Sequence, residues 1–371
     1  MKSSLLREMG NKRICMMEYV QNDHKEKNGI DRSLAVSKAY DFHKMSEGYQ
    51  PTPLVRLENL KKYGIGCTVY AKLEKYREGT KSFKSLGASY SMSRILTKKY
   101  YEITGEQPDW HRTGQSRKIA DVTGPIHFRA ATDGNHGAAV AWFADCTGHR
   151  ATIYLPNDTE SEKKKRIKSF HAEVICIDGT YDECVKKCHE DVLLKGGEEV
   201  TDIETGSNRE NVENIILGYT TLFNEVMDAS DIRFDTVFVP VGVGGLAAAA
   251  AISLKNRCEG IKIVAVEPYS ADSLYRSVEG GRIIPTDGRQ DSLMCGLNCG
   301  IVSEYAWSVL KRQVDGCVRI SDHEIKKAAH LYEREYEKES YTACAAFAGF
   351  LEMCKRKQWK EEENVLVIFT E

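Results

Sequence analysis

Residues 236–256 combine an apolar run, a glycine-rich turn and an alanine-rich segment, in that order. The run 236–241 has the β-branched and aromatic residues of a buried strand, and residues 246–256 have the composition of a helix. The turn between them, 242–246, reads Gly-Val-Gly-Gly-Leu and lacks the side chains that would keep a ligand away from the backbone. Backbone amides at such a helix N-terminus favour an anion. The stretch therefore predicts a strand-turn-helix unit with a phosphate site, although a plain tight turn has the same composition.

The alternation of strand and helix patterns continues along the chain. Further strands are predicted at 67–73, 128–131, 151–155, 172–177, 261–266 and 365–369, and further helices from 83 onward and at 137–146, 161–170, 181–195 and 214–227. This alternation favours open, largely parallel α/β sheets, in which the loops that follow the strands meet at a ligand crevice. The polar segment 98–121 is predicted as a surface excursion, and residues 1–40 as an arm or irregular cap.

A single lysine stands among small and apolar residues in the segment 82–88, Ser-Phe-Lys-Ser-Leu-Gly-Ala. Burial there would lower the pKa of the Lys84 ammonium, and a neutral amine is a nucleophile that forms a Schiff base with an aldehyde cofactor. Ser82 is predicted to cap the helix that begins near Phe83, so that Lys84 lies in its first turn. The alternative is a solvated lysine on a helix surface, as expected for Lys81.

A polar turn follows the predicted strand 128–131 and reads Thr-Asp-Gly-Asn-His-Gly over 132–137. It contains the acid of Asp133, the amide of Asn135 and the imidazole of His136. Because the turn follows a strand, we expect it at the same edge of a sheet as the ligand crevice. Local interpretations stay open, since Asp and Asn commonly hydrogen-bond the backbone of their own turn. We interpret His136 as a residue that tethers the backbone.

Composition excludes several classes of function. The chain has 371 residues, 42% of them apolar and 29% charged, which is typical of a globular protein with two domains or one domain and a subdomain. The formal net charge of −2 indicates neither a nucleic-acid partner nor an anionic membrane surface. No apolar run is long enough for a transmembrane helix.

Targeting and cysteine patterns indicate a cytoplasmic protein. Charged residues interrupt the segment 1–20, so no signal peptide is predicted. Twelve cysteines are scattered without a framework, which favours free thiols in a reducing compartment. Neither Cys184 with Cys188 nor Cys295 with Cys299 has the paired spacing of a zinc site, and no metal is predicted.

The segments 82–88, 131–137 and 242–246 together resemble the fold type II family of pyridoxal phosphate enzymes, which includes threonine dehydratase and the tryptophan synthase β chain. The resemblance is closer to the diaminopropionate ammonia-lyases and extends from about Pro51 to Thr370. The other matching motifs are Lys72-Leu73-Glu74 with Arg77 and Gly79, Val140-Ala141-Trp142, Gly218-Tyr219-Thr220-Thr221-Leu222, Val266-Glu267-Pro268 with Ala271-Asp272, and Met294-Cys295-Gly296-Leu297. Within these motifs Asp133 discriminates most, because many dehydratases of this fold have a serine there.

The resemblance implies roles for the candidate residues. Lys84 would hold pyridoxal phosphate as a Schiff base, and Asn135 would hydrogen-bond the phenolic oxygen of the cofactor. Asp133 would act as a catalytic base on the face of the substrate opposite the lysine, and Thr370 would supply a hydroxyl near the pyridine nitrogen. Asp202 is either a second active-site acid or a strand-end aspartate. The phosphate would be bound by the glycine loop, whose residues are Gly242, Val243, Gly244, Gly245 and Leu246.

The resemblance also implies an architecture and an activity. Two open, largely parallel sheets flanked by helices are expected, with a large cofactor-binding domain of residues 1–88 and 215–371 and a small mobile domain of residues 89–214. The expected assembly is a homodimer, and the expected partner is a small amino-acid substrate. The implied reaction is the α,β-elimination of 2,3-diaminopropionate to pyruvate and ammonia. A serine or threonine dehydratase, a β-replacement synthase and a cofactor-binding scaffold without activity stay open as alternatives.

Three positions depart from the family pattern. Tyr341 replaces a small residue and is expected to narrow or reshape the pocket. The sequence ends at Glu371, where relatives continue through a loop containing Gly and Asp, so Thr370 is expected to be a poorly anchored ligand. His171 replaces a glycine before a predicted strand, at a site that needs left-handed backbone and tolerates histidine at some cost in stability.

Overall fold

A computed structural model describes residues 19–25, 33–46, 48–110, 113–132, 134–229 and 231–371. The strands in these ranges are β1 (Tyr19–Gln21), β2 (Leu54–Arg56), β3 (Thr68–Leu73), β4 (His127–Ala131), β5 (Arg150–Pro156), β6 (Glu173–Ile177), β7 (Glu198–Glu199), β8 (Thr236–Pro240), β9 (Lys262–Pro268), β10 (Gly316–Ile320) and β11 (Asn364–Phe369). The α-helices are α1 (Ser33–Lys44), α2 (Lys84–Thr104), α3 (Thr113–Thr123), α4 (Asn135–Cys146), α5 (Ser161–Lys168), α6 (Tyr181–Lys195), α7 (Arg209–Ala229), α8 (Gly245–Leu254), α9 (Ser273–Gly280), α10 (Glu304–Gln313), α11 (Asp322–Glu335) and α12 (Tyr341–Cys354).

The strands form two sheets. Over the described ranges, the larger sheet has seven strands in the order β1-β10-β9-β8-β11-β3-β2, and the smaller sheet has four in the order β6-β5-β4-β7. Neighbouring strands run parallel, except that β1 with β10 and β2 with β3 pair antiparallel at the two edges of the larger sheet. The predicted fold class, two open and largely parallel sheets flanked by helices, is confirmed.

The interior of the larger sheet explains the apolar run of the sequence. Every residue of β8 is buried, because parallel strands covered by helices on both faces have no solvent-facing side. The helix that follows, α8, is likewise buried along its whole length, and its five consecutive alanines keep it thin enough to pack there. The strand-turn-helix unit therefore lies at the centre of the molecule, and its turn opens at the carboxyl end of the sheet.

Two glycines let α2 and α7 approach closely, which positions the first turn of α2. A Cβ atom on Gly218 would overlap the carbonyl oxygen of Leu86, and a Cβ atom on Gly87 would overlap the ring of Tyr219. Both helices are largely buried on the sides that face each other. The start of α2, where Lys84 lies, is therefore held against α7 rather than exposed to solvent.

The smaller sheet is built from one continuous part of the chain. Its strands fall between His127 and Glu199, inside the predicted small domain of residues 89–214. The strands of the larger sheet come from before and after this part. The exact domain limits and the mobility of the small domain stay predictions. Among the helices of the described residues, none is both long and apolar enough to cross a membrane.

Two segments contain regular structure that the sequence did not predict. Of residues 1–40, predicted as an arm or irregular cap, 1–18 and 26–32 lie outside the described residues, whereas Tyr19–Gln21 forms an edge strand on β10 and a helix begins at Ser33. The predicted surface excursion 98–121 is largely helical, and most of its described side chains are exposed. Gly105, in left-handed backbone at φ 74°, ends α2.

Two predictions concern single backbone positions. Lys84 lies in the first turn of α2 as predicted. Phe83 rather than Ser82 occupies the N-cap position, but Ser82 Oγ accepts a hydrogen bond of 3.4 Å from the amide of Lys84. The prediction for His171 is confirmed, since its φ is 57°. The imidazole Nδ1 of His171 lies 3.0 Å from Asp145 Oδ1 at the protein surface.

Candidate active site

A cavity lies where loops from the carboxyl ends of both sheets meet. It is bounded by the start of α2, the loop after β4, the turn after β8, the segment 296–299 and the residues after β11. The predicted site residues that line it are Lys84, Asn135, Gly242, Val243, Gly244, Gly245, Leu246 and Thr370. The structure thus brings together every predicted site residue that it describes.

Lys84 reaches the cavity from the start of α2 and meets a carboxylate there. Its Nζ lies 2.7 Å from Oδ2 of Asp202, and its side chain is 18% exposed. Oδ1 of Asp202 accepts a hydrogen bond of 2.6 Å from the hydroxyl of Tyr181. The apolar surroundings expected from the sequence are therefore only part of the environment. Phe83 and Tyr219 supply the apolar side, and an ion pair supplies the other.

The carboxylate of Asp202 is stabilised as an anion. Burial alone would raise its pKa, but the positive charge of Lys84, the imidazole of His136 and hydrogen bonds from Lys84 and Tyr181 outweigh burial. The pKa of Asp202 therefore lies well below its usual range. A buried anion beside an amine stabilises the ammonium form of that amine, which places a proton donor at this position.

The glycine loop forms a cradle at the N-terminus of α8. Gly244 adopts φ 94°, which a residue with a side chain rarely reaches, and is the N-cap of the helix. A Cβ atom on Gly242 would lie 3.2 Å from Sγ of Cys299, so a side chain at this position would crowd the wall of the cavity. The first backbone amides of α8 lack partners within the helix and lie at its positive end. The loop can therefore bind an anion through its backbone.

Asn135 begins α4 and lies at the cavity wall within a polar network. Its Nδ2 donates to Oε2 of Glu371, whose Oε1 accepts a hydrogen bond of 2.6 Å from Ser340 Oγ. The guanidinium of Arg166 lies 3.4 Å from Oδ1 of Asn135. Oδ1 of Asn135 thus faces Arg166, and Nδ2, which is the donor, faces Glu371 at the cavity wall.

The turn between β4 and α4 is described except for Asp133. That residue lies outside the described residues, so its predicted role as a catalytic base stays a prediction. The neighbouring Thr132 accepts hydrogen bonds from the amides of Gly134 and Gly137 at 2.9 and 3.0 Å, which closes the turn. His136 is buried, with Nε2 2.5 Å from the carbonyl oxygen of Val200. This contact agrees with the backbone-tethering interpretation of His136.

The structure bears on the expectations for Thr370 and Tyr341. Thr370 is 3% exposed and its carbonyl oxygen accepts a hydrogen bond of 3.3 Å from the amide of Phe83, so the expectation that it is poorly anchored is wrong. Thr370 lines the cavity, and its Oγ1 has no hydrogen-bond partner among the residues that the structure describes. Tyr341 is 37% exposed and does not line the cavity, whereas Thr342 does, because successive residues of a helix point about 100° apart. Tyr341 therefore does not narrow the cavity, and an effect on the shape of the pocket stays a prediction.

Among the cavity residues that sequence reasoning missed, two make polar contacts with candidate site residues. The sequence places Tyr181 only in a helix, and no motif marks its contact with Asp202, which is 21 residues away along the chain. No motif marks the side chain of Glu371 either, although it joins Asn135 to Ser340. For Asp202, sequence left two interpretations open. Its ion pair with Lys84 joins residues 118 positions apart, a proximity that only the fold creates.

Comparison with known sequences gives a family. The family model described as "Pyridoxal-phosphate dependent enzyme" matches residues 45–371. The diaminopropionate ammonia-lyase of Escherichia coli (strain K12) is 30% identical over 279 residues, which are 74% of this chain and 68% of that protein. The serine racemase of Homo sapiens is 28% identical over 240 residues, which are 64% of this chain and 68% of that protein.

Comparison with solved structures gives the same fold. The diaminopropionate ammonia-lyase of Escherichia coli in complex with D-serine superposes with a TM-score of 0.87 at 24% identity, covering 96% of this chain and 93% of that chain. The processed form of threonine deaminase isoform 2 from Solanum lycopersicum gives a TM-score of 0.76 at 23% identity, covering 97% of this chain and 89% of that chain. At these identities the likeness concerns the fold.

The cavity residues fit pyridoxal phosphate. The glycine cradle suits a phosphate, the amine of Lys84 suits an aldehyde, and the buried hydroxyl of Thr370 lacks a partner that a ring nitrogen would supply. A family model covering most of the chain, a relative at 30% identity and this fit agree. The chain belongs to the pyridoxal-phosphate dependent enzyme family, with the type II fold that the sequence predicted.

Proposed function

We propose that this protein catalyses the α,β-elimination of 2,3-diaminopropionate, which with one water yields pyruvate and two molecules of ammonia. The observation that carries the proposal is the Lys84–Asp202 pair, 2.7 Å apart in a cavity that also contains the glycine loop. The similarity to diaminopropionate ammonia-lyase supports this substrate over others of the family. The elimination needs a base at Cα and an acid at the leaving amine, and the cavity supplies candidates for both.

In the proposed enzyme different cavity residues would bind different parts of the cofactor. The backbone amides of the glycine loop would hold the phosphate, Thr370 would lie near the pyridine nitrogen, and Asn135 would donate to the phenolic oxygen. Bound pyridoxal phosphate would supply an electron sink for the electrons left at Cα when its proton is removed. The side-chain amine of Lys84 would hold the cofactor.

Proton transfers are assigned to Lys84 and Asp133, and Asp202 has a supporting role. The Lys84 amine would remove the Cα proton from one face, and Asp202 would stabilise the resulting ammonium, as it does in the ion pair of the structure. Protonated Lys84 then donates to the β-amino group as it leaves, a form of general acid catalysis typically worth ~10²–10⁴-fold in rate. Asp133 is proposed as the base for the opposite enantiomer, from the other face of the substrate.

The decisive assay measures pyruvate and ammonia released by the cofactor-loaded protein. Substrates are D- and L-2,3-diaminopropionate beside serine, threonine and O-acetylserine. We expect turnover of diaminopropionate to exceed that of the others. Preferential turnover of serine or threonine would overturn the proposal in favour of a dehydratase, and consumption of O-acetylserine with an added nucleophile would indicate a β-replacement synthase. A loaded protein that turns over none of them would be a scaffold without activity.

An Asp133→Asn variant tests the second base. We expect loss of turnover for one enantiomer of diaminopropionate and retention for the other, because the two Cα protons lie on opposite faces. Full activity with both enantiomers would remove Asp133 from the scheme. The comparison of enantiomers within one variant controls for general damage to the cavity.

We also propose that the protein is a cytoplasmic homodimer whose small domain moves on ligand binding. The eleven cysteines of the described ranges are all free thiols, which supports a reducing compartment. The homodimer is an expectation from the family resemblance, and light scattering of the purified protein tests it. A monomeric mass would contradict it.

A further inference from the structure

Glu204, two residues beyond Asp202, binds the N-terminus of α10. Its Oε1 accepts hydrogen bonds from Ser303 Oγ at 3.1 Å and from the amide of Tyr305 at 2.8 Å. Its Oε2 accepts from the amide of Glu304 at 2.9 Å. A carboxylate at this position satisfies amides that have no partner within the helix and meets the positive end of the helix dipole. The contact joins parts of the chain about a hundred residues apart.

The helix end that Glu204 binds is itself attached to the glycine loop. The amide of Ser303 donates to the carbonyl oxygen of Val243 at 2.9 Å. Ile203, between the two acids, packs in one apolar cluster with Val243 and Tyr181. A continuous series of contacts therefore connects the turn that carries Asp202 with the loop predicted to hold the phosphate.

The turn between Asp202 and Glu204 is internally fixed. The buried side chain of Asn208 donates from Nδ2 to the carbonyl oxygen of Ile203 and accepts at Oδ1 from the amide of Thr205, both at 2.9 Å. Because these bonds hold the turn, we expect it to move as a unit. A displacement of Glu204 is therefore transmitted to Asp202.

We propose that Glu204 is a positioning residue, which holds Asp202 opposite Lys84 by anchoring the turn to the N-terminus of α10 and so to the glycine loop. The structural part of this proposal concerns the protein by itself. The kinetic part rests on the proposed function, because it assumes that Asp202 takes part in turnover. A capping role limited to the stability of α10 is the alternative that the test must separate.

The charged and titratable groups that face Asp202 determine how its pKa would change if the turn were displaced. They are Lys84 at the start of α2, His136 in α4 and Tyr181 at the start of α6. These groups hold the pKa of Asp202 down against burial. If the turn moves away from them, the pKa of Asp202 rises toward its ordinary value, and the acidic limb of the activity profile moves to higher pH.

The first measurement is hydrogen exchange of the purified protein with Glu204→Ala, Glu204→Gln and a matched control, Glu324→Ala. Glu324 is also a helix-capping carboxylate, bound to Ser321 at the start of α11, and does not line the cavity. We expect faster exchange in Glu204→Ala both at 303–306 and at 201–205, with a smaller increase in Glu204→Gln, which keeps one acceptor oxygen. Faster exchange at 303–306 alone would mean that Glu204 only caps α10 and would overturn the proposal.

The second measurement is the pH profile of kcat/KM for the best substrate of the wild type. We expect a loss in kcat of roughly tenfold for Glu204→Ala, since small misplacements of reacting groups have effects of this order or larger, with KM less affected. The acidic limb should move to higher pH in Glu204→Ala and stay unchanged in Glu324→Ala. An unchanged acidic limb in Glu204→Ala would overturn the kinetic part.

The proposed function and the positioning role of Glu204 can be refuted separately. If diaminopropionate is not the substrate, the same profiles are recorded with the amino acid that the wild type does turn over. If nothing is turned over, the pH dependence of the visible absorbance of the bound cofactor replaces the rate, because its attachment to Lys84 brings it beside Asp202. A shift of that pH dependence in Glu204→Ala but not in Glu324→Ala supports the positioning role, and its absence refutes it.

Discussion

Two lysine–carboxylate pairs in this molecule have nearly the same N–O distance but differ in how far they are enclosed by the protein. Lys72 and Glu225 lie 2.6 Å apart with side chains 1% and 0% exposed. Lys84 and Asp202 lie 2.7 Å apart with side chains 18% and 8% exposed. Distance alone therefore does not distinguish the pairs. What differs is the set of partners around them and their access to a cavity.

The enclosed pair belongs to a network in which charges of both signs are fully engaged. Lys72 Nζ also donates to the carbonyl oxygen of Thr52 at 2.6 Å. Arg77 donates to Glu225 at 2.5 and 2.7 Å and to Glu74 at 2.8 Å through two of its nitrogens. Buried ions are tolerated when they are paired and hydrogen-bonded in this way. No group of this network can change partners without leaving another charge unsatisfied.

The cavity pair differs because it borders space that a ligand can enter. Lys84 and Asp202 both line the cavity, and so does the Tyr181 hydroxyl that holds Asp202. An ion pair in such a place can exchange one partner for a ligand without creating a buried unpaired charge. The comparison teaches that complete enclosure indicates a structural ion pair, whereas an ion pair at a cavity wall indicates a site of chemistry.

The largest expected effect is the loss of turnover when a substitution removes one partner of the cavity pair, Lys84 with Asp202. Lys84→Ala should reduce turnover by at least ~10³-fold, because loss of a covalent catalytic group removes its whole pathway. Its urea unfolding midpoint should fall less than that of Glu225→Gln, since Asp202 keeps the hydrogen bond from Tyr181 and borders the cavity. Lys81→Ala, which removes an exposed lysine three residues earlier, should keep turnover. Substantial turnover by Lys84→Ala would contradict the assignment.

The next largest effect is the loss of stability when a substitution removes the charge of Glu225 from the enclosed pair. Glu225→Gln leaves Lys72 and Arg77 buried without a full countercharge, which should lower the free energy of unfolding by about 3–5 kcal/mol. Urea unfolding followed by circular dichroism measures this loss. Glu162→Gln, in an exposed ion pair with Lys165, serves as the control and should leave the midpoint unchanged. A Glu225→Gln protein as stable as the wild type would show that the network does not hold the fold together.

Asp202→Asn sharpens the comparison, because it keeps the shape of the cavity pair and removes its negative charge. We expect kcat/KM to fall roughly 10²-fold, since the ammonium of Lys84 loses its countercharge during proton transfer. The loss should differ between the enantiomers of diaminopropionate, while stability changes less than in Glu225→Gln. Equal and unimpaired turnover of both enantiomers would assign Asp202 a purely local role.

The smallest effect concerns acid stability. Burial alone would raise the pKa of Glu225, but the hydrogen bonds and charges of Arg77 and Lys72 lower it from the ordinary 4.5 to about 2. Since the folded-state pKa is depressed, the pair stabilises the fold above the ordinary pKa, and this contribution is lost as the pH falls toward 2. Urea midpoints of wild type and Glu225→Gln should therefore converge between pH 6 and pH 3. A difference that does not depend on pH would contradict this cause.

The sequence predicted elements whose signal is local. The apolar run before Gly242, the glycines of the turn and the alanines of α8 specify one strand, one loop and one helix, and all three are present. Left-handed backbone at His171 could also be predicted, because a single position determines it. The edge strand Tyr19–Gln21 could not, since three residues acquire strand geometry only by pairing with β10.

The same limit applies to the cavity. Lys84 and the glycine loop are recognisable from neighbouring residues, whereas the contacts of Asp202 depend on the packing of both sheets. Tyr181 and Lys84 come to opposite oxygens of Asp202 from helices far apart in the chain. Tyr341 shows the reverse error, because its departure from the family pattern suggested a pocket residue and the helix turns it outward.

The most direct test asks which lysine carries the cofactor. Treatment of the loaded protein with sodium borohydride makes the attachment of pyridoxal phosphate to a lysine permanent, and peptide mass mapping then locates it. We predict the adduct on Lys84, at the cavity wall, and none on the enclosed Lys72. An adduct on Lys72 or on another lysine, or no adduct in a protein that binds the cofactor, would contradict the distinction between the two pairs.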